Sequence, residues 1–179
     1  MNDPHFPFLT VLLLLPAGGA LAVVLLGSVP RIRRAVLEWL GIGVSLATLA
    51  VAVTVAALFS TGTGSFQFVS DHPWAAAVGV RWFLGVDGIS LFLVLMAAVI
   101  FPVVLAGART RSDARSYIGW MLLLECACIG SFVSLDLILF FFFFELTLVP
   151  AYFIISGWGY ARRAYAAVKF FVYTFLGSA

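Results

Sequence analysis

The chain has 179 residues, of which 64% are hydrophobic and 10% charged, with a formal net charge of +2. A soluble domain carries about 45 to 50% apolar and about 25% charged residues, so this composition excludes one and indicates an integral membrane protein. A charge this small, spread over short loops, also excludes a nucleic-acid-binding face.

In chain order, six apolar segments predict helices: about Phe6 to Val29, Ala35 to Phe59, Leu84 to Ala108, Tyr117 to Ser134, Asp136 to Gly157, and Ala164 to the end. All but the last are long enough to cross a hydrocarbon core of ~30 Å, some with tilt. The opening MNDPHFPF has an acid and no Lys or Arg before its apolar run, unlike a cleaved signal peptide, so the first helix is expected to be retained. The sixth segment gives only about 24 Å of helix at 1.5 Å per residue. No polar tail follows it, and a truncated piece of a longer bundle is expected. The predicted fold class is therefore all-α, a polytopic transmembrane helix bundle.

The loops carry the orientation. PRIRR (Pro30 to Arg34), RTRSDAR (Arg109 to Arg115) and WGYARR (Trp158 to Arg163) hold Arg31, Arg33, Arg34, Arg109, Arg111, Arg115, Arg162 and Arg163, against Arg81 alone in the polar loop Ser60 to Phe83 and the tight Leu135 turn. Positive loops stay in the cytoplasm, which places the N-terminus outside.

Glu145 is the residue to explain. From Leu137 to Ile155 it is the one ionisable group besides Tyr152. A carboxylate near a helix centre costs roughly 2.5 to 3.5 kcal/mol on the insertion scale, and each Leu, Ile, Phe or Val returns about 0.3 to 0.6. Fourteen such residues surround it. They contribute roughly 4 to 8 kcal/mol, so the helix inserts and carries its acid to mid-membrane. Intramembrane acids usually mark ion or proton paths.

Helices four and five form a hairpin about Leu135, with Glu125 ten residues before the turn and Glu145 ten after. Both then lie roughly 15 Å from the outer surface, at one depth. Two readings follow, a proton-sharing pair or successive stations on a relay; an acid that only hydrogen-bonds a neighbouring helix is the plainer role for Glu125. Tyr152 and Ser156 continue a polar stripe from Glu145, within about 20° of its direction. Pro150 cannot donate to the carbonyl of Leu146, beside the glutamate, which favours a wet spot. Lys169 shares a face of helix six with Tyr165 and Tyr173, and is read either as a cation acting on a buried carboxylate or as a snorkelling side chain.

Asp87 and Asp136 read as helix caps, and the Phe140 to Phe144 run as largely lipid-facing. Cys126 and Cys128, two apart on a helix, point in nearly opposite directions and read as packing residues. His5 and His72 lie outside the spans, so no pair of haem-ligating histidines faces the core, and no CxxC, GxGxxG, P-loop or GxSxG motif occurs. These features predict a chain that moves ions without handling electrons.

LGVDGISLFLVLM (Leu84 to Met96), LLLE (Leu122 to Glu125), SLDLILFFFFFELTLVPAYFII (Ser134 to Ile155) and RRAYAAVKFFVYTFLGS (Arg162 to Ser178) together resemble the antiporter-like M subunit of bacterial NADH-quinone oxidoreductase, respiratory complex I. The likeness covers Leu84 onward well and the first two helices in pattern. It implies a bundle of roughly fourteen helices with two inverted repeats and broken helices, through which proton transfer is coupled to electron transfer in a peripheral arm. Residues 1–116 would then be N-terminal helices and 117–179 the start of the first repeat. The resemblance makes Glu145 the helix-five glutamate that pairs with a lysine on helix seven, beyond this sequence, and matches Glu125 to an acidic position, so this piece is not expected to pump alone. Phe144 departs from the tryptophan usual before that glutamate.

It further implies a multi-pass protein of the bacterial inner membrane, with other membrane-arm subunits, lipid and protons as partners. The whole complex would use NADH, FMN, iron–sulfur clusters and quinone, with no cofactor in this chain. The alternative is a subunit of a multi-subunit sodium/proton antiporter, which would keep Glu145 and lack a redox partner.

Overall fold

A computed structural model describes residues 7–29, 32–62, 65–75, 79–107 and 113–179. His5, Arg31, Arg109 and Arg111 lie outside the described residues, as do Pro30 and Ser112. The elements are α1 (Phe8–Leu26), α2 (Arg34–Leu58), β1 (Gln67–Ala75), β2 (Val80–Val86), α3 (Gly88–Gly107), α4 (Ala114–Val133), α5 (Leu137–Trp158) and α6 (Arg163–Ser178). The first five helices are long and apolar enough to cross a membrane. The expected helical bundle is the observed fold.

α4 is the hub, packing on α1, α2, α3 and α5, while α6 lies against α5. Burial follows this order: 61% of the apolar window of α4 is enclosed but only 22% of that of α5, which leaves α5 open on its outer faces. Lipid tails supply no hydrophobic drive between helices, so contact depends on close packing over small residues. A Cβ on Gly130 of α4 would lie 2.3 Å from the Phe143 ring of α5. One on Gly41 of α2 would lie 2.3 Å from Ile118 Cγ2 of α4. Of the phenylalanine run, Phe140, Phe141, Phe142 and Phe144 are exposed and Phe143 turns inward.

The polar loop expected from Ser60 to Phe83 is instead largely a β-hairpin, and this is the main correction to the helical reading. β1 pairs antiparallel with β2, from Gln67 opposite Val86 to Ala75 opposite Val80, with irregular register at Phe68, whose φ is 55°. The reason lies in the end of β2: Leu84 and Val86, two residues apart on one side of the strand, are fully buried, so residues expected at the start of the third helix belong to a strand. Asp87 then ends the strand and begins α3. The hairpin is tied to the bundle by Trp82 Nε1, which donates to Thr10 Oγ1 of α1 at 3.2 Å, and by an edge-to-face contact of Phe68 with Phe8. It also binds the α4–α5 turn: Leu135 N donates to the Phe83 carbonyl at 2.8 Å, and Leu84 bridges Ser134.

Candidate functional site

Glu145 is half-buried on α5, facing α6. The Ser178 hydroxyl near the end of α6 donates to Glu145 Oε1 and also lies 3.0 Å from the Phe175 carbonyl, its own helix's acceptor. Below the carboxylate, the Tyr152 ring meets Phe171 of α6 edge to face at 5.9 Å. Ser156, the last member of the stripe, donates to the Phe153 carbonyl at 3.2 Å. Pro150 is buried inside a continuous α5, so the Leu146 carbonyl lacks the i+4 donor beside Glu145.

α6 docks through Ala167, its one fully buried residue, with Phe171 and Ser178 on the same side at helical spacing. Lys169 is nine residues from Ser178, which at 100° per residue sets it about half a turn away. Its ammonium stands over the rings of Tyr165 and Tyr173, at 5.9 and 5.8 Å, on an exposed face. Among the described residues Lys169 and Glu145 form no ion pair; the pairs present are Arg34 with Glu38 and Arg81 with Asp71. The lysine read as a cation beside the carboxylate is therefore a tyrosine-flanked charge on the opposite face of α6.

Glu125 is fully buried on α4 and turns toward α2, where the Ser45 hydroxyl donates to its Oε1 at 2.9 Å. Its Oε2 has no hydrogen-bond partner among the described residues. The two glutamates do not bond each other, so the shared-proton geometry is absent and two separate carboxyl sites replace it. Gly41, one turn before Ser45, gives the close approach of α2 that this bond requires. Ser45 and Ser178 were not singled out by sequence reading. Their signals were faint: a serine inside the apolar GIGVSLAT, and a serine eleven residues, three helical turns, after Ala167.

The capping residues fall as expected. Asp87 Oδ1 accepts from Ser90 N at 2.7 Å and Ile89 N at 3.0 Å, while Ser90 Oγ accepts from Asp87 N at 2.9 Å. The Ser90 amide and hydroxyl, then Ile89, hold the Asp87 carboxyl below its ordinary value. Asp136 Oδ1 accepts from Ile138 N and Leu139 N at 2.9 and 3.0 Å; the Leu139 amide, then Ile138 and Arg81, lower its pKa. These acids are fixed as anions at helix starts. Cys126 and Cys128 are free thiols.

Residues 134–179 match the family described as NADH:quinone oxidoreductase/Mrp antiporter, TM. The chain is 37% identical to NADH-quinone oxidoreductase subunit M of Mycobacterium tuberculosis, covering 97% of this chain and 36% of that protein. It is 40% identical to subunit M of Rhodobacter capsulatus, covering 95% and 33%. The structure matches a chain of respiratory complex I from Thermus thermophilus with a TM-score of 0.78 and 29% identity, over 95% of this chain and 33% of that one. A chain of the Mrp complex from Dietzia sp. shares the fold, with a TM-score of 0.75, 22% identity, and 95% and 18% coverage. The resemblance drawn from the sequence motifs thus holds along nearly the whole chain, which spans about a third of the length of the curated relatives it matches.

Proposed function

We propose that this chain is part of a proton-translocating membrane subunit of an NADH-quinone oxidoreductase, in which electron transfer elsewhere in the enzyme drives protons past Glu145. One observation carries the reading: the segment matched by the family, residues 134–179, is the α5–α6 pair, and that pair holds a half-buried carboxylate against a hydroxyl. The chemistry suits a proton that must stop and leave again. Toward an ionised Glu145 the Ser178 hydroxyl donates; toward a protonated one it turns its single hydrogen to the Phe175 carbonyl and accepts. Either charge state keeps a partner. The Leu146 carbonyl, freed by Pro150, offers a water an acceptor beside the carboxyl.

Under this reading α4, from about residue 117, begins the antiporter-like repeat, and other membrane-arm subunits and lipid surround the bundle. The N-terminus lies outside, and redox groups belong to other subunits. Glu145→Gln is nearly isosteric, but an amide does not take up or release a proton near neutral pH. In the full-length subunit of the assembled enzyme it is expected to lose most NADH-driven proton pumping, with Glu145→Asp retaining part. Near wild-type pumping by an assembled Gln variant would sink the role. A second reading, a sodium/proton antiporter subunit, is supported by the matched family's description, which names Mrp as well. Sodium-gradient exchange without NADH or quinone would favour it.

A further inference from the structure

Glu125 and Ser45 lie in a contact that the α5–α6 site does not use. The carboxyl is fully enclosed, one of its oxygens is engaged by a hydroxyl from α2, and the other has no partner among the described residues. Ser45 is itself fully buried, as is Thr48 one turn on, so α2 presents two hydroxyls on one face inside an apolar helix. Thr48 spends its hydrogen on the Val44 carbonyl at 3.1 Å, which leaves it only lone pairs to offer. The α2 backbone is brought close by Gly41 against Ile118, and Ile118 lies seven residues, two helical turns, before Glu125 on the same side of α4. Close approach, hydroxyl and carboxyl therefore occupy one helix–helix seam.

We propose that Ser45 is the positioning residue of a second proton-holding site between α2 and α4: it pins Glu125 through Oε1 so that Oε2 is the oxygen that takes and releases the proton. The proposal rests on the proton-translocating reading and adds α2 to the path. A buried carboxyl oxygen without a partner calls for a water, and a proton leaving Oε2 passes to that water's oxygen as the O–H bond to the carboxyl breaks. The carboxylate left behind keeps the Ser45 hydrogen bond, a charge-assisted one that strengthens as the proton departs. Without the hydroxyl the carboxyl can rotate, and neither oxygen is reserved for exchange.

The test uses the full-length chain in the assembled membrane enzyme, with Ser45→Ala, Ser45→Thr, Glu125→Gln and the double variant Ser45→Ala/Glu125→Gln. The carbonyl stretch of protonated Glu125 is assigned in infrared difference spectra as the band lost in Glu125→Gln. Ser45→Ala is expected to move that band to higher frequency and to lower pumping about two- to tenfold, the worth of one hydrogen bond. Ser45→Thr should restore both, and the double variant should pump no worse than Glu125→Gln alone. An unmoved band in Ser45→Ala, a normal pumping rate despite a moved band, or losses that multiply in the double variant would each overturn the proposal. Should Ser45→Ala fail to assemble, Ser45→Cys, a weaker donor of similar size, gives the same comparison. The band reports the contact without turnover, whereas normal pumping by Glu145→Gln would sink the wider reading and leave the band untouched.

Discussion

Ser178 reaches across the α5–α6 contact to Glu145, thirty-three residues earlier in the chain. A hydroxyl of one helix thereby meets the carboxyl of the other, and the last turn of α6 becomes part of the carboxyl site.

That pairing ranks four substitutions in the full-length enzyme. Ser178→Ala should lower proton pumping about two- to tenfold by removing one hydrogen bond, and Ser178→Thr should restore it. Lys169→Met should be milder than Glu145→Gln, because the ammonium stands between two tyrosines on the other side of α6. Pumping rates in membrane vesicles, normalised to assembled enzyme, check the order. A Lys169→Met variant as inactive as Glu145→Gln would refute it.

The proposed orientation rests on arginine asymmetry and has a direct measurement. In a background with Cys126 and Cys128 replaced, Ser65→Cys should react with an impermeant thiol reagent added outside. Tyr160→Cys, between α5 and α6 and 96% exposed, should not react until the membrane is opened. The reverse pattern would invert the topology.

Gly130 carries the α4–α5 seam. Its missing side chain is filled by the Phe143 ring, which also meets Trp82 edge to face at 6.2 Å. Gly130→Ala should destabilise the protein by about 1 to 3 kcal/mol through overpacking. Adding Phe143→Leu should recover part of that loss in a thermal unfolding series; a double variant no better than the single would count against the contact.

The two capping aspartates give a pH dependence of known sign. Both have folded pKa values below the ordinary 3.8, so their contribution is present above about pH 4 and is lost as pH falls through the folded values. Melting temperature should therefore drop on acidification below about pH 4, and the drop should be smaller in Asp136→Asn. An unchanged acid profile in that variant would remove Asp136 from the account.

The helices and caps were legible because both signals are local: apolar runs set span, and aspartates stand immediately before Gly88 and Leu137. The hairpin was not, since β2 is a seven-residue strand whose apolar end runs straight into an apolar helix, and only Asp87 marks the boundary. Glu145, Glu125 and Lys169 could be named from charge in apolar surroundings. What each touches depends on which face of which helix turns inward, and that is decided by small residues such as Gly41, Gly130 and Ala167 rather than by the charges. Ser45 could not be paired with Glu125 across 80 residues without that packing.

The hairpin's hold on the Leu135 turn sets the mechanics of α5. The Phe83–Leu135 bond and the Leu84–Ser134 bridge clamp one end of that helix, and Trp82 anchors the clamp to α1. Glu145 lies about 12 Å along that helix from Leu137, and Trp158 about 32 Å. The far end is held as well, where Trp158 meets Tyr117 of α4 edge to face at 5.2 Å. The carboxyl of α5 thus sits between two fixtures, a hairpin clamp at one end and an aromatic pair on α4 at the other.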